Sequence, residues 1–172
     1  LVLIKRTKPG VLVYWTTAGG GVDDTDASPE AAMHREIFEE LGATATGATQ
    51  VFLVSTPTES GVKIQHVFVA RLTSLDLSLR NGPEIANPAK GRYDPERVSL
   101  LTADALAAID LRPPELKAFI LGNRVALLAE AGFADEQALS TGSLRRPDLN
   151  RRGSRWLCAV RVVRGRHRRT WR

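Results

Sequence analysis

The sequence predicts an α/β fold in which a mixed sheet carries helices on its faces. The main observation is the order of the elements inferred along the chain, strand–strand–helix–strand–strand–loop–strand–helix, which is typical of layered domains. The length of 172 residues suits one domain. A hydrophobic content of 43% is ordinary for a globular chain that buries a core.

Two extended segments open the chain. Residues 1–6 (LVLIKR) are aliphatic and β-branched, which favours a strand, and a TKPG turn follows them. Residues 11–17 (VLVYWTT) predict a second extended segment. Because the chain begins with leucine rather than methionine, and inside a strand, we expect that a short N-terminal piece is missing.

A helix is predicted to begin at Pro29. Ser28 has the side chain of an N-cap, and proline suits the first helical position. Gly42 is the residue expected to end the helix as its C-terminal cap. The apolar residues between these ends recur every four positions and form one stripe that faces the core. They are Met33, Ile37 and Leu41.

Two long strands, a polar loop and further helices follow. Residues 49–56 (TQVFLVST) and 62–72 (VKIQHVFVARL) are the clearest strand pair, because β-branched residues are frequent in them. The loop at 78–96 contains several prolines and glycines, and it precedes a short predicted strand at 97–101. Long loops of this kind are often functional. Helical stretches are predicted at 103–108, about 114–131 and near 134–139.

Arg35 and three glutamates stand within six residues of the predicted helix. Residues three and four apart on a helix lie ~5–6 Å apart, so Glu36, Glu39 and Glu40 form one acidic cluster. Like charges repel across a turn, and a divalent cation relieves that repulsion. Mg²⁺ prefers carboxylate oxygens and often brings a phosphate substrate with it. The alternative, an ordinary acidic surface helix, does not account for the three glycines at 19–21.

Residues 16–43 (TTAGGGVDDTDASPEAAMHREIFEELGA) resemble the signature of the Nudix hydrolases, G-x5-E-x7-R-E-U-x-E-E-x-G-U, in which U is a bulky aliphatic residue. Gly20 matches the opening glycine and Gly42 the late one, and the R-E-U-x-E-E-x-G half is complete. Two positions depart from the pattern. Asp26 stands for the first glutamate, with a spacer one residue longer, and Ala43 is small for the last U.

The resemblance implies the Nudix α/β/α sandwich, with the signature as a loop–helix–loop motif in a domain at 1–140. It also implies Mg²⁺-dependent hydrolysis of a diphosphate linkage in a nucleoside diphosphate derivative, with Mn²⁺ as the alternative ion and a small-molecule nucleotide as substrate. The sequence leaves open whether the chain forms a homodimer. The alternative function is a catalytically silent domain that binds a nucleotide and acts as a sensor or regulator. The three intact glutamates count against this alternative, and the altered first half of the signature keeps it open.

We assign the metal to the acidic cluster. Glu36 and Glu40, one turn apart, are the foremost ligands, and Glu39 is a third ligand or the general base. Arg35 is expected to orient the glutamates by charge-assisted hydrogen bonds. Glu84, in the long loop, is a second candidate for the general base, with a solvated loop carboxylate as the alternative.

Two glycines and one aspartate have structural roles in the predicted motif. Gly20 is expected to let the loop pack tightly against the helix, and Gly42 to end that helix. Asp26 is expected to support the site through a salt bridge, with an exposed loop aspartate as the alternative.

The basic charge of the chain is concentrated at its C-terminal end. Residues 144–172 hold eleven arginines and one acidic residue, whereas the preceding part is mildly acidic and does not resemble a nucleic-acid binder. We predict that residues 141–172 are a disordered or irregular tail, because arginine-rich runs do not bury a core. The alternative is an arm that binds RNA or a membrane surface. Nucleic acid is therefore an unlikely partner, and the tail alone could bind it.

The remaining composition predicts a cytoplasmic protein with no membrane segment. No apolar run approaches the ~18–20 residues of a membrane helix, and no signal peptide is visible. Cys158 is the only cysteine, which excludes an intrachain disulfide and is compatible with a reducing compartment.

Overall fold

The centre of the fold is a mixed sheet of six strands. The structure, a computed structural model, describes residues 1–59, 61–85, 87–130 and 156–167. The strand order is β2-β1-β6-β4-β3, and β5 pairs with β1. Among the paired strands of the described residues, β1 and β6 run parallel, and the other pairs are antiparallel. The strands are β1 (Val2–Lys8), β2 (Val11–Thr16), β3 (Ala43–Thr58), β4 (Gly61–Leu75), β5 (Arg92–Arg97) and β6 (Trp156–His167).

Helices cover both faces of this sheet. Helix α1 (Pro29–Leu41) packs on one face, where Met33, Ile37 and Leu41 are fully buried against alternate residues of β1, β4 and β6. The opposite face carries the short helices of the C-terminal half together with the other alternate residues of the strands. The predicted α/β class with a mixed sheet is therefore confirmed. These helices are α2 (Asp104–Ala107), α3 (Pro114–Gly122) and α4 (Arg124–Glu130).

Helix α1 begins and ends as the sequence predicts. The Ser28 hydroxyl accepts a hydrogen bond from the Ala31 backbone N–H (3.1 Å), and Pro29 is the first helical residue. Gly42 adopts the left-handed conformation with φ of 60°, which glycine tolerates best. A Cβ there would lie 2.0 Å from the carbonyl oxygen of Asp76, so the cap also needs glycine for lack of space.

Residues 156–167 correct the prediction of an irregular tail. They form β6, which pairs with β4 along its whole length and with β1 at Val2. Within it Leu157, Cys158, Val160 and Val162 are each at most 3% exposed. The apolar run LCAVRVV is the part of the segment with strand periodicity, and helices cover both of its faces. Residues 131–155 and 168–172 lie outside the described residues, so the boundary at 140 stays a prediction.

Other boundaries differ modestly from the sequence predictions. Strands β3 and β4 extend beyond the predicted pair as one long hairpin. The strand predicted at 97–101 instead occupies Arg92–Arg97, because this part of the loop pairs with β1. The helix predicted at 114–131 divides at Asn123 into α3 and α4. The helix predicted near 134–139 lies outside the described residues.

Among the described residues, no helix has the length and apolar character needed to cross a bilayer.

Candidate active site

A loop of three glycines leads from β2 towards α1 and lies against β6. Three backbone hydrogen bonds hold it there: Arg161 N–H donates to Ala18 O (3.0 Å), Val163 N–H donates to Gly20 O (2.9 Å), and Val22 N–H donates to Val163 O (3.0 Å). A Cβ at Gly19 would lie 1.9 Å from the carbonyl oxygen of Arg161. This contact and a φ of 136° both require glycine. Strand β6 therefore fixes the position of the loop.

The same loop contacts the buried carboxylates of α1. The Gly19 N–H donates to Glu40 Oε2 at 2.7 Å. A Cβ at position 20 would lie 2.4 Å from Glu36 Oε1, so only glycine leaves that carboxylate where it is. Gly20 thus lies directly against the predicted metal ligands.

Arg35 is the centre of a carboxylate network. Its Nε and Nη2 donate to the two oxygens of Asp26 (3.2 and 2.9 Å), which is a bidentate pair. Its Nη1 donates to Glu36 Oε1 (3.0 Å) and Glu39 Oε2 (3.1 Å). Asp26, although its spacer to Arg35 is one residue longer than in the signature, therefore forms the expected salt bridge. The Arg35 hydrogen bonds hold the pKa of Asp26 below its usual range.

Two glutamates of α1 are buried. Glu36 is 7% exposed and Glu40 is 8% exposed. Burial raises the pKa of Glu36 above its usual range, although Arg35 opposes the shift. Burial raises the pKa of Glu40 to about 7, against the opposing hydrogen bond from Gly19. The neighbouring donors therefore do not fully offset the cost of burying these carboxylates in their ionised forms.

All predicted catalytic and metal-binding side chains line one cavity of about 830 Å³. This volume is within the ~300–1,000 Å³ typical of ligand pockets. Glu84 reaches the cavity from the long loop, and its charge contributes to the raised pKa of Glu36 and Glu40. Asp26 and Gly42 support the helix outside the cavity lining. The predicted residues in the lining are Arg35, Glu36, Glu39, Glu40, Glu84 and Gly20.

Sequence reasoning missed three arginines in the same lining. Arg6 shares a face of β1 with Val2 and Ile4, so the alternation of the strand contained a detectable signal. Arg161 lies in β6, which was expected to be irregular. No local pattern pointed to the rest. The missed residues are Arg6, Arg112 and Arg161.

The carboxylate oxygens of the acidic cluster are the ligand type that a hard divalent cation prefers. The side-chain geometry of the cluster meets the needs of such an ion only in part. Arg35 and Gly19 engage one oxygen each of Glu36, Glu39 and Glu40, and the second oxygens accept no hydrogen bond from the described residues. In the described part of the chain, however, no three acidic, histidine or cysteine side chains converge closely enough to hold a metal ion.

A comparison with protein families decides the assignment. The family model described as NUDIX domain matches residues 1–113, which include the glycine loop, α1 and Glu84. The chain belongs to the Nudix family. Nudix domains are in general hydrolases of phosphorus anhydrides that use divalent metal ions. No curated protein and no solved structure gives a significant match to the chain. Strand β6 lies beyond the matched residues.

Proposed function

We propose that this Nudix domain is a Mg²⁺-dependent pyrophosphohydrolase that cleaves the diphosphate linkage of a nucleoside diphosphate derivative. The observation that carries the proposal is the gathering of Glu36, Glu39, Glu40 and Glu84 around one cavity beside the glycine loop. Four carboxylates at one cavity are costly to ionise together, and a divalent cation would offset that cost.

Glu36, Glu39 and Glu40 are the residues that would hold the ion. When bound, it would neutralise phosphate oxygens and lower the pKa of the attacking water. Arg35 fixes the rotamers of Glu36 and Glu39 from one side, and the Gly19 N–H fixes Glu40 from the other. Most catalysis of phosphoryl transfer is positioning and electrostatic stabilisation, so these fixed orientations matter as much as the ligands themselves.

Glu84 is the better of the two candidates for the general base. Glu39 Oε2 already accepts a hydrogen bond from Arg35, and Glu39 is assigned to the metal ion. The Glu84 carboxylate is half-buried and has no hydrogen-bond donor among the described residues. In this proposal Glu84 accepts the proton of the water that attacks phosphorus, and the oxygen bridging the two phosphorus atoms leaves with the second phosphate.

The test is a panel of nucleoside diphosphate derivatives with Mg²⁺, scored for phosphate-bearing products. Glu40→Gln keeps the hydrogen bond from Gly19 but removes the negative charge of a metal ligand. Substitution of a residue that only hydrogen-bonds to a metal ligand typically costs ~10–100-fold, so we expect turnover to fall by more than this. Glu30→Gln is the matched control, because Glu30 is exposed at the start of the same helix. Full activity of the Glu40 variant, or no turnover of any compound by the parent chain, would contradict the proposal.

A second candidate, the catalytically silent nucleotide-binding domain, is favoured by one observation. Arg35 already neutralises part of the charge on Glu36 and Glu39, and the three glutamates do not converge on a point. For this candidate, the panel yields saturable nucleotide binding without products, and that binding is unchanged when EDTA replaces Mg²⁺.

A further inference from the structure

The long loop between β4 and β5 is joined to the C-terminal end of α1 just before it reaches Glu84. The N–H groups of Asn81 and Gly82 both donate to the carbonyl oxygen of Glu39, at 3.1 and 3.0 Å. Glu39 is one of the last four residues of α1, and the carbonyl groups of these residues have no partner within a helix. The backbone of a predicted metal ligand therefore holds the loop two residues before the proposed general base.

Position 82 has little room for a side chain. Gly82 is buried, and a Cβ there would lie 3.2 Å from the carbonyl oxygen of Glu39 and 3.5 Å from its carbonyl carbon. Because this carbonyl belongs to the backbone of a helix, the loop rather than the helix would have to move. The Gly82 carbonyl oxygen also accepts a hydrogen bond from the Ile85 N–H at 3.0 Å. Glu84 thus lies in a hydrogen-bonded turn that begins at the residue packed on α1.

Arg80 joins the same part of the loop to β5. Its Nη2 donates to the carbonyl oxygen of Tyr93 at 2.9 Å, so one side chain connects the two ends of the loop. Arg80 is half-buried, and burial lowers the pKa of its guanidinium, whereas the negative charges of Glu40 and Asp94 oppose this shift. Arg80 is therefore held by a hydrogen bond to β5 and by electrostatic attraction to the acidic cluster.

These contacts all lie on residues 80–82, which directly precede the part of the loop that enters the cavity. Pro83 and Glu84 belong to the cavity lining, and the charge of Glu84 acts on the carboxylates of Glu36 and Glu40. A general base acts only when it lies within hydrogen-bond reach of the proton that it accepts. A long loop has many conformations unless contacts fix it. The position of Glu84 beside the acidic cluster therefore depends on the contacts of residues 80–82.

We propose that Arg80 and Gly82 are positioning residues for the hydrolysis, which hold Glu84 at a fixed place beside the acidic cluster. The inference rests on the proposed function, in which Glu84 accepts the proton of the attacking water. Arg80 and Gly82 both lie outside the cavity lining, so they act through Glu84 rather than on the substrate. Misplacement of a catalytic group by about 1 Å can cost ~100-fold in rate. Release of the loop should therefore lower kcat and leave substrate binding almost unchanged.

The first test is a double-mutant cycle, measured with Mg²⁺ and a compound of the panel that the parent chain cleaves. Arg80→Ala and Gly82→Ala should each lower kcat about tenfold or more and leave KM within about threefold. In a Glu84→Gln chain, the same substitutions should lower kcat by less than about twofold, because no base remains to be misplaced. Arg80→Lys keeps a charged donor for the Tyr93 carbonyl and should regain most of the loss.

Arg92→Ala and Gly122→Ala are the matched controls, and both should retain the kcat of the parent chain. The Arg92 side chain is 76% exposed, and nothing lies within 4 Å of a Cβ at Gly122. A merely structural role of Arg80 and Gly82 would lower kcat equally with and without the Glu84 carboxylate. Such equal losses, or an unchanged kcat in Arg80→Ala, would overturn the inference and leave the proposed function standing.

Amide hydrogen exchange tests the anchoring of the loop without any turnover. The amides of Asn81 and Gly82 should exchange slowly in the parent chain, because both donate to Glu39 O. In Arg80→Ala their exchange should be about tenfold faster, whereas that of Ala32, which donates to Ser28 O, should not change. Unchanged exchange at Asn81 and Gly82 would overturn the inference. A chain that cleaves no compound but shows the expected exchange refutes the proposed function and retains the anchored loop.

Discussion

At the scale of single residues, Asp26 shows how a changed signature can keep its geometry. The first glutamate of the Nudix pattern is replaced by a shorter side chain, and the longer spacer places that side chain against Arg35. Asp26 is only 7% exposed at its side chain and also accepts a hydrogen bond from the Asp23 N–H. The sequence predicted the partners of this bridge, because they belong to one motif. It could not predict Arg161 or Thr17, because their place at the cavity depends on pairing between distant strands.

The burial of Glu40 predicts how the metal-free chain responds to pH. Its folded pKa of about 7 lies above the ordinary value of 4.5, so the folded state retains a proton that the unfolded state has lost. The contribution of Glu40 to stability should therefore fall as pH rises from about 4.5 through about 7, and then remain level. In EDTA, the melting temperature of the parent chain minus that of Glu40→Gln should decrease between pH 5 and pH 8. A constant difference would contradict this account.

At the scale of elements, the sequence predicted α1 but missed β6, because sequence reasoning detects local signals and not distant partners. The limits of α1 are set by local signals, namely the Ser28 cap, Pro29 and the left-handed Gly42. A central strand has no such signals, because its stability comes from hydrogen bonds to β1 and β4, which are more than eighty residues away in the sequence.

The contact between the glycine loop and α1 gives a prediction for Gly20→Ala. The added Cβ would meet the Glu36 carboxylate, which is the end of a flexible side chain and can rotate away. Stability should therefore change little. Turnover with Mg²⁺ should fall about tenfold or more, because the Glu36 carboxylate is displaced from its position as a metal ligand. Gly21→Ala is the matched control, since nothing lies within 4 Å of a Cβ there. Equal activity of the two variants would show that this contact has no role.

The burial of Cys158 gives a second prediction at this scale. Cys158 is fully buried in β6, and burial raises the pKa of its thiol to about 12. A disulfide reagent such as DTNB should therefore react with the native chain only as fast as the chain opens, and rapidly once urea unfolds it. Rapid stoichiometric reaction of the native chain at neutral pH would mean that β6 is not part of the sheet.

At the scale of the whole molecule, the cavity is assembled from segments far apart in the chain. Arg6 comes from β1, the carboxylates from α1, Glu84 from the long loop and Arg161 from β6. The sequence could predict the acidic wall, which one helix supplies. It could not predict the opposite wall, because only the completed sheet brings β1 and β6 beside α1.

Removal of residues 131–172 should therefore destabilise the whole fold. Without β6, the sheet loses the strand between β1 and β4 and the buried side chains of Leu157, Val160 and Val162. Burial of each such side chain contributes about 1.5–3 kcal/mol, and the total rivals the ~5–15 kcal/mol stability of a domain. The truncated chain should lack a cooperative thermal transition by circular dichroism, whereas removal of residues 168–172 alone should retain it. A cooperative transition after the longer deletion would contradict this expectation.

The late position of β6 in the chain also has a consequence for biosynthesis. A ribosome exposes β4 well before it has made β6, its neighbour along Gly61–Leu72, so β4 emerges with one side open. Unpaired strands in a nascent polypeptide attract other strands, and this sheet can close only once β6 has been made. Chaperone association during synthesis, and a yield sensitive to growth temperature, follow from this strand order.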